Sequence, residues 1–368
     1  MTDQPPRRGG RPTGTLAFVE SPAQLLNVLE WDHLERHRER PADDAVTVVV
    51  LAPNDPMTRG QLRRMAGLAR DEGLTVRWED ARGGPAAALR TVAGLTAALR
   101  RARRVVIGDP FSQYVQLLLA LTRAPQVVVV DDGTATLEFV SQLGRGVPLV
   151  RWHRSGRRGP RGALFTPVSA AARSRLTPGP RGDRGITVFS SMPVEAPDGA
   201  SVTRNDFRWT RSRFGPPAVT AGTDLVGTSL VESGVIEPDH YLQAVTALVR
   251  THGATRYFAH RRESPDKLRR VALETGVEIV RPDLPLELIG RRGPIGRTVL
   301  SFPSTVVHTL PLVLADTGAR VTVCDVDPSW FTAAAPSRAR GFLAEVTRAA
   351  SDVRRLTSAQ VISPGTSP

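Results

Sequence analysis

Residues 127 to 130 are four consecutive valines, and Asp131, Asp132 and Gly133 follow them directly. A β-branched run this short and this apolar predicts a strand covered on both faces, as in a parallel sheet. Parallel strands need long crossovers, so the rest of the chain must supply helices between strands. In open α/β sheets, ligands bind outside the carboxyl ends of the strands, which is where the two carboxylates stand. Gly133 lets the backbone turn sharply, and Thr134 is positioned to cap a helix beginning near Leu137. The same residues also fit a plain Asp-Gly turn with solvated carboxylates, and both readings stand at this point.

The required alternation is present. Apolar runs at 15–20, 46–51, 74–78 and 105–108 predict strands, and helical spacing at 22–37, 57–72, 86–101 and 111–121 predicts the helices between them. Residues 151–185 are crowded with Arg, Gly, Pro and Ser and read as linker and surface loop. A second alternating set follows, with strands at 186–190, 224–229, 256–259, 277–280, 299–302 and 321–326. Its helices are expected at 241–250, 266–275 and 304–315, with a last one from Pro328 to about Arg355. The fold class predicted is α/β, two doubly wound Rossmann-like domains facing a cleft. The expected boundaries are a disordered tail at 1–14, a first domain at 15–165, a linker at 166–185, a second domain at 186–330, and a helix with tail at 331–368.

Composition narrows the function classes. The formal charge of +13 would ordinarily point to a polyanion, but Lys267 is the only lysine among 49 basic residues. Abundant Arg, Ala, Gly and Pro are what a GC-rich coding sequence produces. Aromatic residues make up 5%, and no aromatic and basic platform of the kind that stacks single-stranded nucleic acid is visible, so no nucleic-acid partner is expected. The single cysteine, Cys324, excludes an intrachain disulfide and reads as a small buried hydrophobe. No signal-peptide core and no membrane-spanning run is visible, which predicts a cytoplasmic protein. A basic surface of this kind is compatible with peripheral contact at the inner face of a membrane.

Three further stretches carry chemistry. His260 ends the 256–259 strand, where an imidazole can titrate near neutrality or simply pack. Ser304 and Thr305 close the 299–302 strand and open a helix, a ready anion site, although Ser304 also fits a plain N-cap. Glu287 lies between them in sequence, and its carboxylate suits the two hydroxyls of a ribose or an exposed helical position. The other histidines show no metal-ligand spacing. Asp325-Val326-Asp327 has the spacing of an Asp-x-Asp metal motif but stands apart from the other motifs, so no metal is expected.

The ordered set resembles bacterial sialyltransferases of the GT-B type, in particular the polysialyltransferase and lipooligosaccharide sialyltransferase families. These carry an acidic pair followed by Gly in the first domain, then a His motif and a Ser-Ser/Thr motif in the second. Asp131-Asp132-Gly133, His260 and Ser304-Thr305 match in that order, and the opening from Val19 to Asn27 is similar to the first strand and helix of the polysialyltransferase-like family. One departure is that Arg261 stands where the family usually has Pro. The resemblance implies an inverting, metal-independent glycosyltransferase that moves sialic acid, or a related nonulosonate, from a CMP-sugar to a glycan or glycolipid hydroxyl. It implies Asp131 as general base, with Asp132 and Gly133 on the substrate side, and His260 facing the donor phosphate. It further implies that Ser304 and Thr305 bind that phosphate and that Glu287 binds the cytidine ribose. No cofactor beyond the CMP-sugar substrate is implied. Two other readings remain beside it: a GT-B transferase for another nucleotide sugar, and a noncatalytic protein that holds a polyanion.

Overall fold

The computed structural model describes residues 14–38, 44–133, 135–147, 149, 160–179, 184–350, 353–358 and 360. They form two compact units, one of the residues up to Ser190 together with Val194–Thr203, the other of Ser191–Pro193 together with the residues from Arg204 onward. The expected tails, apart from Gly14 and the positions just after Thr357, lie outside the described residues, as does Thr134.

The first unit carries a seven-stranded sheet in the order β3-β2-β1-β4-β5-β6-β7. Its strands are β1 (Thr15–Val19), β2 (Val46–Leu51), β3 (Thr75–Glu79), β4 (Arg104–Ile107), β5 (Gln126–Val130), β6 (Gly185–Ser190) and β7 (Ser201–Arg204). The ladders from β3 through β6 are all parallel. Among the described residues six helices connect or cover them: α1 (Pro22–His37), α2 (Pro56–Asp71), α3 (Pro85–Arg101), α4 (Gln113–Leu121), α5 (Ala135–Gly144) and α6 (Pro160–Leu176). The start of α1 is written locally: Ser21 accepts from the Gln24 N–H at 3.2 Å, and Pro22 supplies the fixed φ of a first helical residue. Val127, Val129 and Val130 are fully buried and Val128 nearly so, as the valine run predicted. Each such side chain contributes roughly 1.5 kcal/mol or more of hydrophobic stabilisation.

The second unit carries a six-stranded sheet, entirely parallel, in the order β10-β9-β8-β11-β12-β13. The elements in chain order are α7 (Arg208–Arg213), β8 (Val219–Val226), α8 (Pro238–His252), β9 (Ala254–Phe258), α9 (Pro265–Thr275), β10 (Glu278–Val280) and α10 (Leu286–Arg292). Then come β11 (Ile295–Ser301), α11 (Val306–Val313), β12 (Arg320–Cys324), α12 (Ser337–Ala349) and β13 (Arg354–Leu356). Cys324 is buried, and that burial pushes its thiol up to about 12, which leaves it an inert packing residue.

Three expectations are corrected. The strand expected at 186–190 belongs to the first domain and not the second: β6 pairs with β5 and extends the first sheet, so the boundary falls later than 185. The expected 166–185 linker is helical through Leu176, and α6 sets Ala172 and Leu176 into the first core. The long final helix is instead a short 3-10 turn at Pro328–Trp330, then α12, then β13, which adds a sixth strand beside β12.

Candidate functional site

Both sheets reverse their strand order beside their first strand, between β1 and β4 in one and between β8 and β11 in the other. The crevice at such a reversal is where ligands of open α/β sheets bind. The candidate residues of each unit fall at or next to that place.

In the first unit Asp131 follows β5 and is only 2% exposed. It is held from two sides: Ser190, the last residue of β6, donates its hydroxyl to Oδ1 at 2.6 Å, and Asn27 of α1 donates to the Asp131 carbonyl at 3.0 Å. Asp132 is half-buried; its N–H donates to the Thr136 hydroxyl at 3.3 Å, and Ser21 lies 3.5 Å from its Oδ1. Gly133 sits at φ +63°, a left-handed turn that carries the chain into α5. This anchored geometry replaces the solvated Asp-Gly turn.

Sequence reasoning passed over Glu20. It follows β1 at the strand reversal, with its side chain 10% exposed and ion-paired to Arg82. Arg82 also donates to the carbonyls of Leu51 and Ala52 at 3.0 and 2.9 Å, tying the ends of β1 and β2 together. Burial pushes the Glu20 carboxyl above its ordinary value, against the opposing pull of Arg82 and of a hydrogen bond from Ser112. The only sequence signal for it was its place at the end of a strand.

In the second unit His260 and the Ser304-Thr305 pair follow β9 and β11, the two strands that flank β8. The His260 N–H donates to Glu263 Oε2 at 2.6 Å, and Nδ1 accepts from the Arg262 N–H at 3.2 Å. Burial, and after it the charges of Arg261, Arg262 and Lys267, hold the imidazole down at about 4. The expectation of titration near neutrality is thereby corrected: His260 is a neutral ring at pH 7, with its proton on Nε2.

Thr305 takes the N-cap position of α11 without a side-chain capping bond, and Ser304 Oγ meets Ser301 Oγ at 3.4 Å. The plain N-cap reading of Ser304 is thus not realised. Glu287, half-buried on α10, accepts from the Thr309 hydroxyl of α11 at 2.7 Å. That bond ties the ribose candidate to the helix whose start carries the phosphate candidates. The Asp-x-Asp pair has structural duties: Asp325 binds Arg355 at 2.8 Å, and Asp327 caps the Pro328–Trp330 turn. Among the described residues no helix is long and apolar enough to cross a membrane.

The whole fold can be compared with solved structures. An α/β-galactoside α-2,3-sialyltransferase from Photobacterium phosphoreum superposes with a TM-score of 0.51 at 10% identity, over 94% of this chain and 99% of that one. A protein of Listeria monocytogenes named for UDP-N-acetylglucosamine 2-epimerase activity gives 0.50 at 13% identity, over 85% and 79%. The fold is of the GT-B type. At these identities the likeness concerns the fold alone. No protein-family model and no curated protein matches the sequence.

Proposed function

We propose that this chain is an inverting glycosyltransferase that moves sialic acid, or a related nonulosonate, from a CMP-sugar to a hydroxyl of a glycan or glycolipid. The observation that carries the reading is the start of α11: two hydroxyl residues at a helix N-terminus, neither bonded to it as a side-chain cap, with only β8 between their strand and that of the neutral His260. Such a constellation offers N–H and O–H donors to a phosphate. Glu287, bonded to the same helix, is the proposed partner of the ribose hydroxyls. The fold likeness to the Photobacterium phosphoreum sialyltransferase is compatible with this reading but does not select the donor, because the epimerase-named structure has nearly the same score.

In the proposed reaction the acceptor oxygen bonds to the anomeric carbon as the bond from that carbon to the CMP phosphate breaks. The electron pair of the broken bond goes to the phosphate. The α11 N-terminus, Ser304, Thr305 and the His260 Nε2–H share that charge, and the acceptor proton passes to Asp131. Ser190 and Asn27 hold Asp131 for this task, and Asp132 with Gly133 shapes the acceptor side. A leaving group with one phosphate asks for less neutralisation than a diphosphate, so donors of this kind suffice in place of a metal. Basic surface residues are proposed to favour an acceptor presented at an anionic membrane.

A donor screen tests the reading: purified chain is incubated with CMP-, UDP- and GDP-linked sugars, and release of nucleotide is followed with and without glycan acceptors. Turnover confined to the CMP-sugar is expected. Turnover of a UDP- or GDP-sugar would turn the assignment to another transferase or an epimerase. Binding of RNA with no turnover of any donor would favour the polyanion-binding alternative.

A further inference from the structure

The only lysine of the chain is at a buried position behind His260. Lys267, on α9, has a side chain 9% exposed, and its ammonium meets three oxygens: Glu263 Oε1 at 2.8 Å, the Thr228 carbonyl at 2.7 Å and Glu232 Oε2 at 3.4 Å. The Tyr241 ring closes over it at 4.1 Å. Three acceptors around one nitrogen match the three N–H bonds of an ammonium, whereas the flat fork of a guanidinium is built for two parallel bonds. The partner carboxylate is equally constrained. Glu263 is 3% exposed, accepts from the Tyr257 hydroxyl, which is bonded in turn to the Tyr241 hydroxyl at 2.5 Å, and accepts the His260 N–H at 2.6 Å. A Cβ on Gly227 would come within 2.2 Å of Glu263 Oε2, so the end of β8 is bare where the carboxylate passes.

We propose that Lys267 is a positioning residue: by pinning the Glu263 carboxylate it fixes the turn that carries His260, so that Nε2–H is presented to a donor phosphate. This rests on the donor-side reading of His260 given above. The charged and titratable groups around the imidazole are Arg261 and Arg262 on its own turn, Glu263 and Lys267 on and before α9, Glu232 on the loop after β8, and the hydroxyls of Tyr257 on β9 and Tyr241 on α8. Glu263 reaches His260 through the backbone N–H, and Lys267 reaches it through Glu263. Removing either should therefore free the turn and move His260 in the same direction.

The test uses histidine-labelled protein and follows the His260 ring by NMR through a pH titration, with His260→Gln to assign the signal. In Lys267→Met and in Glu263→Gln alike the His260 pKa should rise from about 4 toward its usual value, because the freed turn lets the buried ring reach water. Charge removal with the turn intact would instead raise it in Lys267→Met and lower it in Glu263→Gln, and opposite shifts overturn the proposal. If neither variant folds, Lys267→Arg carries the test, since it keeps the charge and loses the three-way geometry: a rise supports the proposal, and the wild-type curve overturns it. A second arm adds CMP to wild type, where a bound phosphate should raise the His260 pKa. Parallel rises in the variants with no response to CMP would leave the positioning role standing and remove the donor reading. A response to CMP with opposite shifts would do the reverse.

Discussion

The two sheet edges share a topology and differ in chemistry. At the edge of the first, carboxylates collect: Glu20 after β1, and Asp131 and Asp132 after β5, with Asp131 held by the neutral donors Ser190 and Asn27. At the edge of the second, Glu263 is bound by an ammonium and a phenol, and the candidate residues that follow β9 and β11 are donors: His260, Ser304 and Thr305. On the reading proposed above, one scaffold thus produces a place suited to accepting a proton and a place suited to accepting an anion. The difference lies in which residues follow the strands, while the strand order around each reversal is the same.

The largest effect expected from breaking this contrast is at Asp131. Asp131→Asn keeps the shape but not the base, and turnover of the CMP-sugar should fall on the order of a hundredfold to ten-thousandfold while CMP affinity, measured by calorimetry, stays nearly unchanged. Near-normal turnover would shift the role of base to Asp132. At the other edge, replacing Ser304 and Thr305 by Ala together should weaken CMP binding by roughly 1 to 3 kcal/mol and leave cytidine, which has no phosphate, bound as before. An equal loss for cytidine would place those hydroxyls away from the phosphate.

Two glycines sharpen the contrast in rigidity. A Cβ on Gly108 would meet the Gln24 side chain at 2.3 Å, and one on Gly227 would meet Glu263 and, at 2.6 Å, the Tyr257 hydroxyl. Gln24 is neutral and holds a single backbone N–H, that of Glu20 at 2.7 Å, through its carbonyl oxygen, so it can swing aside more cheaply than a carboxylate held by Lys267, Tyr257 and the His260 N–H. Gly227→Ala should therefore cost the larger share of the roughly 1 to 3 kcal/mol typical of overpacking, read as the difference in urea midpoint between the two variants. Equal costs would mean that the polar network yields as easily as Gln24.

The smallest effect is acid sensitivity. Because the His260 pKa is lowered from 6.5 to about 4, the unfolded chain binds a proton that the folded chain refuses across that window. Stability therefore rises with pH from about 4 to 6.5, and His260→Gln should lose less stability on acidification than wild type, by about 1 to 2 kcal/mol. The comparison of denaturation midpoints at pH 7 and pH 4.5 decides it, and identical pH slopes would rule out the buried neutral ring.

Much of this was legible in the sequence because the signals are local. The valine run, the Ser21-Pro22 helix start and the alternation gave the fold class and put Asp131, His260 and Ser304 at strand ends. What escaped depended on contacts across the fold. Nothing in the 186–190 pattern says which sheet a strand joins, and only its ladder with β5 shows it. The α6 segment was hidden by its Pro/Gly-rich surroundings and by Pro167 inside the helix, and β13, three residues with two arginines, has no apolar alternation to notice. The neutrality of His260 needed the burial and the three cationic neighbours that only the folded chain assembles. Lys267 stood out by residue type alone, but its role needed Glu263 and Tyr241 brought beside it.

The rims of the second sheet bear on how the protein behaves in concentrated solution. Its outermost strands, β10 and β13, are three residues each, and β13 ends the sheet with two exposed arginines, one of them paired to Asp325. Strands so short and so charged make poor templates for pairing with another molecule. Without β13, the border would pass to β12, whose Val321, Val323 and Cys324 are buried in the intact protein, and self-association through that newly bared ladder is the outcome to watch for in any variant that loosens residues 354–356.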